Sequence, residues 1–303
     1  MLRLRRSTMN VPGNDYDKIK SVVGTEVDVV MMDLEDAVPE PQKELGRLTT
    51  VRALRELDFG GKVRCVRING WETPHARQDV EQVTAAGAEE IKLTKCESAA
   101  QVEELDRLLT RCEQENGIPA QTVKISMMIE SPLGVLRAYG IMAASPRVVA
   151  VSLGAGDLAS ALGVDRDLVP CSPQFLGVKQ QLALCARAAG VRWILDTSLV
   201  PRRGETPEEA VSALLKDCTQ AKMMGFNGRS AIYAEHVVPI NQVFSPTEEE
   251  VWFARRAVET WERGLARGDV NTLAVDGRHL DVGKYEKARE VLELSDTILA
   301  LRK

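Results

Sequence analysis

The sequence predicts an α/β protein that folds as a (β/α)8 TIM barrel with a C-terminal helical extension. Short apolar, β-rich runs alternate with longer segments in which apolar residues recur at helical spacing, as in βα units around a parallel sheet. Eight such runs fall within roughly the first 240 residues, a usual size for this barrel. Polar residues collect where the runs end, at the edge where barrels of this type carry their chemistry.

The predicted strands follow one another along residues 1–240, which we expect to form the catalytic barrel domain. They span residues 3–9, 27–33, 62–68, 90–94, 123–129, 148–153, 191–195 and 229–232. Helical periodicity between them is clearest at residues 98–116 and 208–224. A doubly wound open sheet is the alternative architecture, but no G-x-G-x-x-G follows the first strand, which argues against it.

The pattern changes after residue 240. Thr247 and Glu250 have capping-box spacing at the start of a predicted helix, and Gly268 suits its end. Residues 269–283 are predicted to form an irregular loop or small hairpin, and residues 284–301 a last helix. We therefore expect residues 241–303 to form a helical extension and lid that buries its apolar side chains on a neighbouring subunit or on this barrel.

Composition excludes several classes of protein. The net charge of the 303-residue chain is -5 and its pI is near 5.5, without a basic stripe, so no nucleic-acid partner is expected. No run approaches the ~18 apolar residues of a membrane span, which predicts a cytoplasmic protein with no membrane partner. The six cysteines are widely spaced and lack a C-x-x-C pair, so reduced thiols are expected.

Two acidic residues at the ends of neighbouring strands are candidate metal ligands. Glu130 follows one apolar run, and Asp157 follows Gly154-Ala155-Gly156 after the next. Either acid alone could be a helix-start residue or an N-cap. Together they favour one divalent-cation site, because a hard cation such as Mg²⁺ uses one or two carboxylates plus substrate oxygens.

Arg67 and Asn69 are candidate substrate-binding residues, because alternation places both on one face of their strand. A buried arginine must meet an acid or a bound anion. Glu35 or Asp36 could provide a salt bridge, and a substrate carboxylate bound through two hydrogen bonds is the compatible functional interpretation. Lys95, after the next strand, could form a Schiff base, although a surface or ion-pair role is favoured.

An ordered set of segments resembles the HpcH/HpaI aldolase and citrate-lyase-like family, which includes malyl-CoA and citramalyl-CoA lyases. The resemblance covers nearly the whole chain and rests on residues 4–7, 11–14, 33–38, 66–70, 129–135, 186–190, 225–230, 241–247 and 276–281. Thr94, Gly156 and Tyr233-Ala234 depart from the usual family pattern, which leaves the substrate open.

The resemblance implies roles for particular residues. Glu130 and Asp157 match the Mg²⁺ ligands, and Arg67 matches the residue that holds a keto-acid carboxylate, with the acids Glu35 and Asp36 beside it. Asp281 matches a tail acid that reaches an adjacent subunit's site as acid/base. We predict catalytic roles for Asp281, Arg67, Glu35 and Asp36, and substrate contacts from Arg67, Asn69, Lys95, Gly154 and Ala155.

The implied activity is that of a Mg²⁺-dependent carbon-carbon lyase. It would cleave a citryl thioester, carried by acyl carrier protein or CoA, to oxaloacetate and an acetyl thioester. The expected assembly is a homotrimer, with other citrate lyase subunits as possible partners. The alternatives are a free-standing citramalyl-CoA or malyl-CoA lyase or thioesterase and, from another class, a non-catalytic subunit of a larger complex.

Overall fold

Eight parallel strands close into a barrel, which confirms the predicted fold. The structure is a computed structural model and describes residues 2–165, 171–268 and 272–301. Each strand pairs with the next, and the last pairs with the first. The strands are β1 (Ser7–Pro12), β2 (Val29–Asp33), β3 (Val63–Arg67), β4 (Glu90–Leu93), β5 (Lys124–Ile129), β6 (Val148–Leu153), β7 (Trp193–Asp196) and β8 (Gly228–Ala231).

Helices connect the strands and cover the barrel. They are α1 (Tyr16–Val23), α2 (Lys43–Glu56), α3 (Ala76–Ala85), α4 (Ala99–Glu115), α5 (Pro132–Met142), α6 (Ala155–Leu162), α7 (Leu176–Ala188), α8 (Pro207–Met223) and α9 (Val237–Phe244). Capping boxes begin α4, at Ser98 with Gln101, and α8, at Thr206 with Glu209. β2 and β4 are buried along their whole length, as expected for parallel strands covered on both faces.

The first strand begins later than predicted, at Ser7 rather than at residue 3. The buried guanidinium groups of Arg5 and Arg6 pair with the carboxylates of Glu90 and Asp28 at 2.7 and 2.8 Å. These long-range ion pairs hold the preceding residues, and the chain joins the strand ladder only after them. Asn10 consequently lies within β1, although the predicted strand ended one residue before it.

The turn after β1 is held against the end of β2 by Gly13. Its N–H donates to the carbonyl oxygen of Asp33 at 2.8 Å. A Cβ at Gly13 would lie 2.7 Å from Leu34 Cδ2 and 2.9 Å from that carbonyl oxygen. Glycine therefore permits the close approach of these two strand ends, where several polar side chains gather.

A second compact unit comprises the residues up to Leu4 and the segment from Ser245 onward, and the barrel unit is Arg5–Phe244. The smaller unit contains helix α10 (Glu248–Arg267), which begins at the predicted Thr247–Glu250 capping box. The helix ends at Gly268, which has a left-handed backbone conformation. The predicted hairpin is present as β9 (Ala274–Val275) and β10 (Arg278–His279), with residues 269–271 outside the described residues. The last helix, α11 (Val282–Leu301), starts two residues earlier than predicted.

The smaller unit has an apolar core of its own. The Trp261 and Tyr285 rings stack at 5.6 Å between α10 and α11, beside the buried side chains of Val275 and Leu280. Across residues 2–165, 171–268 and 272–301, no helix has the length and apolar character needed to cross a bilayer. All six cysteines are free thiols, as predicted.

Candidate active site

A cavity of about 400 Å³ opens at the carboxyl ends of the barrel strands. This is the edge of the barrel at which the polar strand-end residues were expected to meet. Its lining combines acids, one arginine, hydroxyl groups and apolar side chains, including Asn10, Asp33, Asp36, Arg67, Met128, Glu130, Gly154, Ala155, Asp157, Thr197, Ser198 and Ser230.

Glu130 occupies the junction between β5 and α5, where its side chain is buried. Glu130 directly precedes Ser131, which is the N-cap of α5. Oε1 of Glu130 accepts a hydrogen bond from the backbone N–H of Lys95 at 2.6 Å. Burial raises the pKa of Glu130 to about 8; the Lys95 N–H opposes this rise, and the carboxylates of Glu35 and Asp157 add to it.

Asp157 lies in the first turn of α6, whose N-cap is Gly154, so Asp157 is not the N-cap either. A Cβ at Gly154 would lie 2.4 Å from Glu130 Cβ and 2.8 Å from Glu130 Oε2. Only glycine allows the β6–α6 turn to come this close to Glu130. The close approach brings two carboxylates from neighbouring strand ends into one cavity.

The oxygen groups of this cavity fit a hard cation. Besides the carboxylates of Glu130 and Asp157, the cavity contains Asn10, whose buried Oδ1 has no hydrogen-bond partner among the described residues. Within those same residues, no group of three or more His, Cys, Asp or Glu side chains is placed to hold a metal. A site with two carboxylates suits Mg²⁺, which keeps several water or substrate oxygens as ligands.

Arg67, the last residue of β3, is buried among three acids. Its Nε donates to Asp33 Oδ1 at 2.7 Å, and its Nη2 donates to the other oxygen of Asp33. Its Nη1 lies 3.0 Å from Glu35 Oε2 and 3.6 Å from Asp36 Oδ2. Asp33 is therefore the main partner, and the predicted ion pairs with Glu35 and Asp36 are present beside it. Asp33 and Arg67 lie opposite each other in the β2–β3 register, and this pairing was not predicted from the sequence.

A second cavity of about 420 Å³ shares Asp36 with the first and is lined by Glu35, Asn69 and Lys95. Lys95 Nζ lies 2.7 Å from Glu35 Oε1, an ion pair. Asn69 lines this second cavity, whereas Arg67 lines the first. The backbone N–H and Nδ2 of Asn69 both donate to Asp79 Oδ2, at 3.1 and 2.7 Å, and α3 thus holds the amide.

Asp281 belongs to the smaller unit, whereas the other predicted site residues belong to the barrel. Its Oδ1 accepts a hydrogen bond from the backbone N–H of Lys284 at 2.8 Å, at the start of α11. That hydrogen bond, with the positive charge of Lys284, lowers the pKa of the exposed Asp281. The raised pKa that an acid role needs is therefore absent from the chain as described.

Three hydroxyl residues in the first cavity were missed by the sequence analysis. Thr197 and Ser198 follow β7, and Ser230 lies in β8. In the described part of the chain, none of their hydroxyl groups hydrogen-bonds to another residue. Serine and threonine are common at strand ends, so no sequence signal distinguishes them.

The chain is similar in sequence to a known protein family and to named proteins of other organisms. The family model described as HpcH/HpaI aldolase/citrate lyase matches residues 6–234. The citrate lyase subunit beta of Leuconostoc mesenteroides subsp. cremoris is 32% identical over 97% of this chain and 94% of that protein. A (3S)-malyl-CoA thioesterase of Cereibacter sphaeroides is 29% identical over 98% of this chain and 96% of that protein.

A solved structure shows a similar barrel with ligands. It is the citrate lyase beta subunit from M. tuberculosis, complexed with oxaloacetate and magnesium. It is 25% identical to this chain, covers 80% of this chain and 99% of its own, and superposes with a TM-score of 0.62.

Proposed function

The chain belongs to the HpcH/HpaI aldolase/citrate lyase family, and from that premise we propose that it is a Mg²⁺-dependent carbon-carbon lyase. The proposed reaction cleaves a citryl thioester, carried by CoA or acyl carrier protein, to oxaloacetate and an acetyl thioester. The observation that carries this proposal is the meeting of Glu130, Asp157 and Arg67 in one cavity.

Glu130 and Asp157 would hold the metal ion. Their oxygens fit a hard cation, and the related M. tuberculosis protein is complexed with magnesium and oxaloacetate. When bound, Mg²⁺ supplies Lewis-acid stabilisation to substrate oxygens that gain negative charge. The metal-free protein holds Glu130 in its protonated form below about pH 8, so the residue must lose that proton to act as a ligand.

Arg67 would bind the carboxylate that becomes part of the keto acid. A guanidinium has five N–H donors, and the two contacts to Asp33 fix its plane while leaving donors for substrate. A carboxylate accepts two parallel hydrogen bonds from such a group, which sets the orientation of the bond to be cleaved. Asp33 acts through Arg67, as a positioning residue.

Cleavage requires one proton to leave the substrate hydroxyl and another to reach the enolate carbon. We assign the first to Asp36, which lines both cavities and has a 58% exposed side chain that can pass the proton to water. The O–H electrons form the ketone as the carbon-carbon bond breaks, leaving a thioester enolate. Asp281 of an adjacent subunit would protonate the enolate to give the acetyl thioester, a role that requires burial in the subunit interface to raise its pKa.

The three hydroxyl groups that lack a hydrogen-bond partner among the described residues favour a citryl over a citramalyl substrate. A citryl group carries a second carboxylate, which Thr197, Ser198 and Ser230 can meet with hydrogen bonds. A citramalyl group has a methyl at that position and would leave these hydroxyls without a partner. Malyl-CoA cleavage or hydrolysis is the second candidate, because the malyl-CoA thioesterase is nearly as similar as the citrate lyase subunit.

The assembly is also part of the proposal. We place the chain in a homotrimer in which the segment from Ser245 onward packs on a neighbouring subunit, with acyl carrier protein and other citrate lyase subunits as candidate partners. Light scattering of the purified chain should give the mass of a trimer. A monomeric mass together with full activity would contradict an active site shared between subunits.

The function is tested by incubating the chain with citryl-CoA, citramalyl-CoA and malyl-CoA, with Mg²⁺ or with EDTA, and measuring the keto acid released. The proposal predicts oxaloacetate from citryl-CoA at the highest rate, and only with Mg²⁺. Faster pyruvate or glyoxylate release from the other two thioesters would identify the alternative lyase. Release of free CoA without a keto acid would identify a thioesterase.

A further inference from the structure

We propose that Lys95 is a positioning residue for the metal site and acts mainly through its backbone. This inference rests on the proposed function, because it concerns how Glu130 is presented to Mg²⁺. Lys95 has a φ of 48°, in the left-handed region, although it is neither glycine nor asparagine. Lysine adopts this conformation at an energetic cost, and such strain clusters at functional sites.

The chain is fixed on both sides of Lys95. The preceding residues form β4, which is buried throughout. On the other side, the Cys96 carbonyl oxygen lies 2.8 Å from where a Cβ of Gly134 would be, so this backbone is packed closely on α5. The N–H of Glu97 also donates to Gln101 Oε1 at 2.9 Å. A change of φ at Lys95 must therefore rotate the peptide that carries its own N–H.

That N–H is the group that orients Glu130. It donates to Glu130 Oε1 at 2.6 Å, whereas Glu130 Oε2 is the oxygen that faces Gly154, at the start of the helix that carries Asp157. One carboxylate oxygen is thus held by the backbone, and the other is directed to the side on which Asp157 lies. We infer that Oε2 is the oxygen presented to the cation.

The side chain of Lys95 extends the arrangement to the substrate-binding arginine. Its Nζ lies 2.7 Å from Glu35 Oε1, and Glu35 Oε2 lies 3.0 Å from Arg67 Nη1. The ammonium takes one oxygen of Glu35 and limits how far that carboxylate competes for the guanidinium. Lys95 therefore connects the proposed metal ligand to the proposed carboxylate-binding residue.

A series of substitutions at Lys95 distinguishes the contribution of its backbone from that of its ammonium group. Lys95→Gly, Lys95→Asn, Lys95→Ala and Lys95→Val all remove the ammonium, but they tolerate a left-handed backbone in decreasing order. The inference predicts that the Kd for Mg²⁺, measured by calorimetry without substrate, follows this order. Lys95→Gly should stay within roughly threefold of wild type, and Lys95→Val should be weaker by roughly tenfold or more, equivalent to about 1.4 kcal/mol.

Gln121 supplies a matched control. It also has a positive φ, of 61°, and its N–H donates to a glutamate carboxylate, Glu113 Oε2, at 2.9 Å. Gln121→Gly and Gln121→Val should therefore differ in thermal stability but bind Mg²⁺ equally. If the Lys95→Val protein does not fold, Lys95→Ala decides the matter, with an expected Kd roughly threefold or more above that of Lys95→Gly.

Kinetics test the role of the ammonium. In Lys95→Gly the KM for the thioester should rise severalfold while the Kd for Mg²⁺ stays near that of wild type, and Lys95→Arg should recover part of that KM. Equal Mg²⁺ affinities for Lys95→Gly and Lys95→Val would overturn the backbone role. If the wild-type chain binds no Mg²⁺ at all, the proposed function itself fails, which is a distinguishable result.

Discussion

Replacing Gly154 by alanine should disable the metal site without altering any carboxylate. The new Cβ would lie 2.4 Å from Glu130 Cβ, 2.8 Å from Glu130 Oε2 and 3.0 Å from Met128 Cγ. Ordinary van der Waals contact begins at 3.4 Å, so Glu130 and the turn that carries Gly154 must separate by about 1 Å. Because Asp157 lies on the helix that starts at Gly154, we expect this movement to increase the distance between the carboxylates of Glu130 and Asp157.

This displacement is large on the scale of metal coordination. Mg²⁺ demands nearly ideal octahedral geometry with bonds of about 2.0–2.1 Å, so a shift of about 1 Å removes most of one ligand's contribution. We expect the Kd for Mg²⁺ to rise by roughly tenfold or more, equivalent to about 1.4 kcal/mol. Overpacking should also lower the free energy of unfolding by about 1–3 kcal/mol.

Calorimetric titration with Mg²⁺ and thermal melting with and without the ion measure both effects. The matched control is Gly140→Ala in α5, where a Cβ meets nothing within 4 Å. Alanine at that exposed helical position should stabilise the protein by about 0.5–1 kcal/mol and leave Mg²⁺ binding unchanged. Wild-type Mg²⁺ affinity in Gly154→Ala would refute the reasoning, because the close approach would then not determine the site.

Three further predictions concern the carboxylates. Because burial raises the pKa of Glu130 from 4.5 to about 8, the folded metal-free protein binds that proton more tightly than the unfolded chain does. Its free energy of unfolding should therefore fall as pH rises from 4.5 to about 8, and Glu130→Gln should flatten this urea-measured profile; an unchanged slope would contradict the assignment. Asp33→Asn should lower the free energy of unfolding by about 3 kcal/mol, because Arg67 then keeps only its contacts to the neighbouring acids. The variant should also have a higher KM for the thioester. A melting temperature equal to that of the wild-type chain would contradict the importance of this ion pair. Asp281→Asn keeps an oxygen for the hydrogen bond that starts α11, so its melting temperature should equal that of the wild-type chain. Its kcat should nevertheless fall roughly hundredfold. If the site is shared between subunits, mixing this variant with Glu130→Ala chains should restore activity.

The barrel was predictable because each strand carries a local signal. The run at residues 148–153 is apolar except for Ser152, largely buried and bounded as predicted, so its own sequence is enough to identify the strand. The start of β1 was not predictable in this way. Its position depends on ion pairs that join Arg5 to Glu90 and Arg6 to Asp28, which are distant in sequence.

In the candidate site, too, features that follow from a local sequence pattern were predictable, and features that depend on contacts between distant residues were not. Parallel strands place their carboxyl ends together, so Glu130 and Arg67 were expected at one edge, and the structure places both in one cavity. Side-chain partners depend on packing that no local pattern records. The predicted ion pairs of Arg67 with Glu35 and Asp36 are present, but the stronger contact to Asp33 was not foreseen. The hydrogen bond from the Asn69 amide to Asp79 was not foreseen either. The left-handed backbone of Lys95 gave no signal either, because residues that favour this conformation are usually glycine or asparagine.

The most direct test of the metal-dependent site is the initial rate of oxaloacetate release from citryl-CoA, measured across Mg²⁺ concentrations for the wild-type chain and for Glu130→Gln. The proposed function predicts a rate that saturates with Mg²⁺ in the wild-type chain. It also predicts that the variant loses roughly a hundredfold or more at the same Mg²⁺ concentration. Release that does not depend on Mg²⁺, or a variant that works at the wild-type rate, would contradict Glu130 as a metal ligand.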